Sequence, residues 1–145
     1  MIKIICVGKL KEKYLMEMVS DYKSRINKYH KLEIIELRDS DIISESKEIE
    51  KAINKSDYII SMDIKGKKYD SIEFKNKIES IFNNSINNIT FIIGGSCGIN
   101  DNIKSISNEL ISFSDMTFPH GMFRAILLEQ IYRSFKIMNN ESYHK

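Results

Sequence analysis

Residues able to do chemistry concentrate in the last third of the chain. The run Phe118-Pro119-His120-Gly121 holds the only proline of the sequence, and Arg124 follows one helical turn later. A histidine titrates near neutral pH and can move a proton, whereas an arginine is a permanent anion receptor. Upstream, Gly94-Gly95-Ser96-Cys97-Gly98 closes an apolar run. Glycines at such a turn permit positive φ and let a ligand approach backbone N–H groups. The spacing matches neither a Walker A loop nor the G-x-G-x-x-G dinucleotide fingerprint. A tight structural turn explains this loop alone about as well as a ligand site does. Cys97 has no base partner in sequence, so a nucleophilic role is not expected. The chain ends Tyr143-His144-Lys145, which by composition is a solvated tail yet could stack on a base and touch phosphate.

These residues need a scaffold, and the apolar pattern supplies one. Ile2–Val7, Leu32–Leu37, Tyr58–Met62 and Ile89–Ile93 read as short strands, with a fifth around Leu110–Phe113. Helical spacing runs from Glu12 to about Tyr29, through Asp41–Asn54, from a Ser71 cap through Phe82, and over Asp101 to about Asn108. The last helix spans about Met122–Met138, and Asp63-Ile64-Lys65-Gly66-Lys67 turns the chain away from the third strand. Strands separated by helices require crossovers. The expected fold is one α/β domain over residues 1–145, a mainly parallel sheet with helices on both faces. Ligands of such sheets bind beyond the carboxyl ends of strands. The loops after Met62, Ile93 and Phe113 are therefore the candidate walls of a site.

On the last helix Phe123, Ile126, Leu127, Leu128, Ile131, Phe135 and Met138 form one apolar arc, with Glu129, Arg133 and Lys136 on the solvated side. Arg124 falls inside the arc and opposes the helix dipole. An anion must meet it: a carboxylate, a phosphate or a partner subunit. A buried ion pair is the bland reading, and a functional role is favoured. His120 is the one histidine within the ordered apolar pattern.

Composition narrows the class. Hydrophobic content of 42% and charged content of 29% suit a globular domain, and no apolar run approaches the ~18 residues of a membrane span. The start carries charge too early for a signal peptide, which places the expected protein in the cytoplasm. Two cysteines, Cys6 and Cys97, make neither a disulfide framework nor a zinc pattern, so no metal is expected. A net charge of +2, from 22 basic and 20 acidic residues, excludes a polycation that coats nucleic acid indiscriminately.

The segments Phe113-Ser114-Asp115-Met116-Thr117-Phe118-Pro119-His120, Arg124, Leu128-Glu129-Gln130-Ile131-Tyr132-Arg133 and Tyr143-His144-Lys145 resemble the large-subunit ribosomal RNA pseudouridine methyltransferases of the RlmH type. These belong to the SPOUT, or α/β-knot, methyltransferases. Val7-Gly8-Lys9-Leu10-Lys11, Ile64-Lys65-Gly66-Lys67 and Ile93-Gly94-Gly95-Ser96 extend the resemblance over the full length. It implies a C-terminal trefoil knot, bound S-adenosylmethionine, and a homodimer whose active site draws on both subunits. It further implies methylation of N3 of a pseudouridine on the assembled ribosome. Carried over by position, Met62, Gly94, Phe113, Ser114, Asp115, Met116, Thr117 and Phe118 hold the cofactor. His120, Arg124, Arg133, Tyr143 and His144 serve the substrate. Asp115 stands where relatives carry a basic residue, Cys97 where they carry Asn, Asp or Glu, and Ser142 where they carry Pro.

The chemistry so implied is direct SN2 transfer to N3, with His120 or His144 taking the N3 proton and Arg124 or Arg133 meeting phosphate or the anionic base. A non-catalytic ribosome-binding or assembly factor of the same fold is the alternative, and a nucleotide-binding α/β module is a third reading. Affinity for S-adenosylmethionine separates the second from the first.

Overall fold

A computed structural model describes residues Met1–Lys145. The chain alternates strand and helix: β1 (Ile2–Val7), α1 (Lys13–Asn27), β2 (Leu32–Leu37), α2 (Ile42–Ala52), β3 (Tyr58–Lys68), α3 (Ser71–Asn83), β4 (Ile89–Ile93), α4 (Asp101–Ile106), β5 (Glu109–Ser112) and α5 (His120–Met138). The strands form one parallel sheet in the order β2-β1-β4-β3-β5. β1 and β4 lie inside the order and every one of their residues is buried, which is why they read as unbroken apolar runs. Edge strand β2 is exposed at Glu33 and Glu36.

The pleat divides the core in two. Ile2, Ile4 and Cys6 face α1, α3 and α5, meeting Leu15, Val19, Phe74, Ile78, Leu127 and Leu128. Ile5 and Val7 face the opposite side, against Ile49 of α2 and Ile103 of α4. Helices thus cover both faces, as the crossovers require. His30 belongs to the larger core as well: its ring centroid lies 4.6 Å from that of Phe82 and 6.0 Å from that of Phe135. His120 is therefore not the only histidine in the ordered pattern.

Several boundaries differ from the sequence reading, each for a physical reason. Residues 63–67 do not turn the chain away, because β3 runs on to Lys68. Its register against β5 slips, so that Met62 and Lys67 both face Ile111. The extra residues form a bulge. Gly66 is required there, since a Cβ would sit 2.6 Å from the Leu110 backbone. Asp70, not Ser71, caps α3 in a capping box: its carboxylate accepts from the Glu73 N–H at 2.8 Å, and the Glu73 carboxylate from the Asp70 N–H at 3.0 Å. α5 starts at His120, with Pro119 as its N-cap. β5 ends at Ser112, which leaves Phe113 in the following loop. No helix is long and apolar enough to cross a membrane.

Candidate active site

The bulged part of β3 at Met62–Ile64 and the loops after β4 and β5 converge around a cavity of about 720 Å³, so the expected loop after Met62 is a strand wall instead. That volume suits a nucleoside-sized ligand. Met62, Gly94, Phe113, Ser114, Met116, Thr117 and Phe118 line it, and His120 stands at its rim. Asp115 does not line it. Its carboxylate turns outward to pair with Lys68 in solvent, so only its backbone belongs to the loop.

One wall is aromatic. Phe113 meets Phe74 edge-on at 5.3 Å and Phe123 at 5.5 Å, and Phe118 stacks on Phe123. The other wall is backbone. Ser112 Oγ donates to the Ser114 carbonyl at 3.0 Å, and Ser114 Oγ accepts from the Met116 N–H at 2.9 Å, shaping the loop from within. The N–H groups of Ser114, Asp115, Thr117 and Phe118 donate to no acceptor in the protein. Such open donors suit a ligand with a polar edge and a flat apolar face. Across the cavity Gly94 lies against the next turn, because a Cβ there would sit 2.6 Å from the Gly98 carbonyl oxygen. Gly98 itself has φ of +75°.

Asp63 also lines the cavity, and the sequence reading passed over it as part of a turn. Burial pushes its carboxyl up, but hydrogen bonds from Lys104 and the Lys65 N–H outweigh this and hold it below the usual carboxylate range. The Lys104 Nζ contact is 2.9 Å. A fixed negative charge therefore faces the site at neutral pH. Only the fold could reveal it, because Lys104 lies on another element. No cluster of three His, Cys, Asp or Glu side chains is placed to hold a metal ion.

Arg124 does meet an anion, but an internal one. Its NH1 donates to Glu36 Oε2 of β2 at 2.6 Å and its NH2 to the Gly8 carbonyl at 3.0 Å, and the residue is 3% exposed. It does not line the cavity. The expectation that Arg124 itself faces substrate is corrected: the guanidinium is engaged in tying α5 to the ends of β1 and β2. Glu36 is 38% exposed and can recover solvent, which limits the cost of breaking the pair. Arg124→Ala is expected to lower unfolding stability by about 1–3 kcal/mol through the lost Gly8 bond and the vacated volume, measured by urea denaturation.

Cys97 is exposed, does not line the cavity and lies ahead of the Asn100 cap of α4, so no helix end activates it. Cys6 is buried, and burial pushes its thiol up to about 12. Native protein should therefore take up one equivalent of a thiol-alkylating agent and unfolded protein two, by intact mass. Cys97→Ala should change turnover by less than about twofold.

The remaining candidates form a second group. Glu129 and Arg133 are not solvated bystanders: Glu129 Oε1 accepts from Arg133 Nε at 3.1 Å, Arg133 NH2 at 2.7 Å and the Tyr143 hydroxyl at 3.1 Å. The Arg133 guanidinium covers the Tyr143 ring at 4.8 Å, and its NH1 contacts His144 Nδ1 at 3.0 Å. Tyr143 packs edge-on against Tyr132 at 5.0 Å, and burial first, then the hydroxyl of Tyr22, raises its phenol above the ordinary tyrosine value. The end of the chain is thus folded onto α5 rather than loose. His120 and Arg133 are 13 positions apart on one helix. At 1.5 Å per residue the two groups stand roughly 20 Å apart.

Residues 1–144 match a family model described as "Predicted SPOUT methyltransferase". The chain is 45% identical to the ribosomal RNA large subunit methyltransferase H of Clostridium tetani, with 99% of each chain covered. It is 44% identical to the putative ribosomal RNA large subunit methyltransferase H of Methanococcus maripaludis, again with 99% of each covered. Among solved structures it is similar to the tRNA (m1G37) methyltransferase of Aquifex aeolicus, with a TM-score of 0.54 at 14% identity over 91% of this chain and 69% of that one. It is also similar to the SpoU methyltransferase AviRb of Streptomyces viridochromogenes in complex with AdoMet, with a TM-score of 0.51 at 8% identity, covering 92% of this chain and 57% of that one. At such identities the solved structures speak for the fold alone.

Proposed function

The chain belongs to the SPOUT methyltransferase family, and from that premise we propose that it uses S-adenosylmethionine to methylate N3 of a pseudouridine in large-subunit ribosomal RNA. The observation that carries the reading is the cavity built by Met62–Ile64 of β3 and the loops after β4 and β5, with its open amide donors. The residues present fit the cofactor. The Phe113 and Phe118 walls suit a purine face, the free N–H groups of Ser114, Thr117 and Phe118 its polar edge, and the ionised Asp63 a cationic or hydroxyl-bearing part. Bound there, S-adenosylmethionine supplies a methyl group made electrophilic by its sulfonium.

This chain's residues must hold the base and remove its N3 proton. Arginine only donates, so the Arg133 contact makes His144 Nδ1 an acceptor and leaves the imidazole proton on Nε2. His144 so held is a hydrogen-bond donor toward a base or phosphate oxygen. The His120 imidazole has no hydrogen-bond partner in the protein and stands at the cavity rim, which suits it to take the N3 proton. Arg133 keeps a charge for phosphate or the anionic base.

The separation of about 20 Å between His120 and Arg133 keeps one chain's tail from serving its own cavity. The tail would instead reach the cavity of a second copy. Exposed Tyr14, Met18 and Met122 supply apolar surface near this end of α1 and α5 for that pairing. Such a homodimer, a trefoil knot and work on cytoplasmic ribosomes belong to the same proposal. Titration calorimetry tests its first step. Stoichiometric binding of S-adenosylmethionine in the micromolar range is expected, and no binding would favour the non-catalytic ribosome factor.

A further inference from the structure

The loop between β1 and α1 carries Lys9 and Lys11, Lys13 opens α1, and neither the cavity nor the tail accounts for them. All three are exposed, and none pairs with an acid. Leu10, between the first two, is half-buried against the core. In an extended stretch, alternate residues point to opposite sides, so anchoring Leu10 turns Lys9 and Lys11 outward together.

The loop is held unusually firmly for an exposed connection. The Gly8 N–H donates to the Leu37 carbonyl at 2.7 Å, the Gly8 carbonyl accepts from Arg124 NH2 at 3.0 Å, and the Leu10 N–H donates to Glu36 Oε2 at 3.2 Å. Gly8 has φ of +94°, which sets the bend. Buried Arg124 and the partly exposed Glu36 thus act together as a clamp on this segment, which explains why an arginine occupies the apolar arc of α5.

The clamp also fixes where the lysines sit. A Cβ on Gly121, next to His120, would lie 3.1 Å from Leu10 Cδ2 and 3.2 Å from Leu15 Cδ1. A Cβ on cavity-lining Gly95 would lie 3.0 Å from Val7 Cγ1. The loop therefore abuts the first turn of α5 and the glycine turn, at the edge of the cavity. Glu12 is the one acid within the run, and Asp39 flanks Gly8.

We propose that Lys9, Lys11 and Lys13 form a preorganised phosphate-contacting edge that seats the RNA backbone beside the cavity. The proposal rests on the RNA methyltransferase reading and names the surface by which the substrate is gripped. Three clamped cations beside the site give local attraction without a basic overall charge.

The test compares Lys9→Ala/Lys11→Ala/Lys13→Ala with a control of equal charge removal at exposed sites elsewhere, Lys28→Ala/Lys47→Ala/Lys55→Ala. Affinity for purified ribosomes is measured over a graded salt series, with transfer kinetics and calorimetry of S-adenosylmethionine alongside. Loss of three phosphate contacts should reduce the slope of log affinity against log salt by about 2 to 3. KM for ribosomes should rise roughly tenfold or more at moderate salt, with kcat and cofactor affinity retained. An unchanged slope and KM, or an equal change in the control, would overturn the assignment. A wild-type protein that transfers no methyl group to ribosomes would sink the RNA reading itself, whereas unchanged variants beside an active wild type sink only the lysine edge.

Discussion

Gly94→Ala is expected to weaken S-adenosylmethionine binding by roughly 30- to 150-fold, from about 2–3 kcal/mol of overpacking in the glycine turn. The added Cβ would meet the Gly98 carbonyl oxygen at 2.6 Å, its carbon at 2.7 Å and Ile99 Cγ1 at 2.9 Å. Two of these atoms are backbone, so no side-chain rotation relieves the clash. The turn cannot shift freely either, because Gly98 donates its N–H to the Gly95 carbonyl at 3.0 Å and Ile99 is buried in the smaller core. The strain falls on the cavity wall, not on the central strands, so thermal unfolding should remain cooperative. Gly98→Ala makes the contrast. Its Cβ would meet nothing within 4 Å, and the only penalty is the positive φ, about 1 kcal/mol or less than tenfold in affinity. Calorimetry on both variants reads the difference, and equal affinities would detach the glycine turn from cofactor binding.

The second large effect concerns the tail. Arg133→Ala, or deletion of Tyr143–Lys145, should cut transfer by about 10²–10⁴-fold while leaving cofactor affinity within about threefold. The reason is geometric: Glu129 Oε1 gathers Arg133 and Tyr143, and Arg133 in turn holds His144, so removing one member releases the others. Mixing distinguishes service in trans from service in cis. Gly94→Ala subunits keep an intact tail, and tail-deleted subunits keep an intact cavity. A mixed dimer then contains one complete site only if each tail serves the partner's cavity. Equal mixing with free exchange should restore roughly one quarter of wild-type activity, since half of the dimers are mixed and each has one good site of two. No recovery, with mixed dimers verified by native mass spectrometry, contradicts the arrangement in trans.

The strand residues of the buried interior were the most legible part of the chain. Ile2–Val7 and Ile89–Ile93 match their observed bounds because parallel strands buried on both faces leave unbroken apolar runs, and the edge strand Leu32–Leu37 matches although Glu33 and Glu36 interrupt it. The loops after β4 and β5 followed from topology and local apolar pattern, the third wall at Met62 proved to be strand and not loop, and the resemblance to a known family added which residues line the cavity. Residues 63–68 misled because Asp-Ile-Lys-Gly-Lys-Lys has the composition of a turn, whereas pairing with β5 makes it strand after a bulge. Glu36 and Arg124 lie 88 positions apart, and nothing local announces their bond. Glu129 and Arg133 looked solvated because the surface they occupy is covered only once the tail folds back. What escaped was long-range polar pairing, which leaves no periodic trace in sequence.

The central claim is methyl transfer from S-adenosylmethionine to N3 of a ribosomal pseudouridine. It is tested most directly by incubating the protein with methyl-labelled S-adenosylmethionine and ribosomes purified from cells lacking the activity, either with the target pseudouridine or with uridine in its place. The ribosomal RNA is then digested to nucleosides and read by mass spectrometry. The expected result is a single labelled N3-methylpseudouridine from the large subunit, absent from the uridine-containing ribosomes. Label on plain uridine, on a ribosomal protein, or nowhere at all would contradict it.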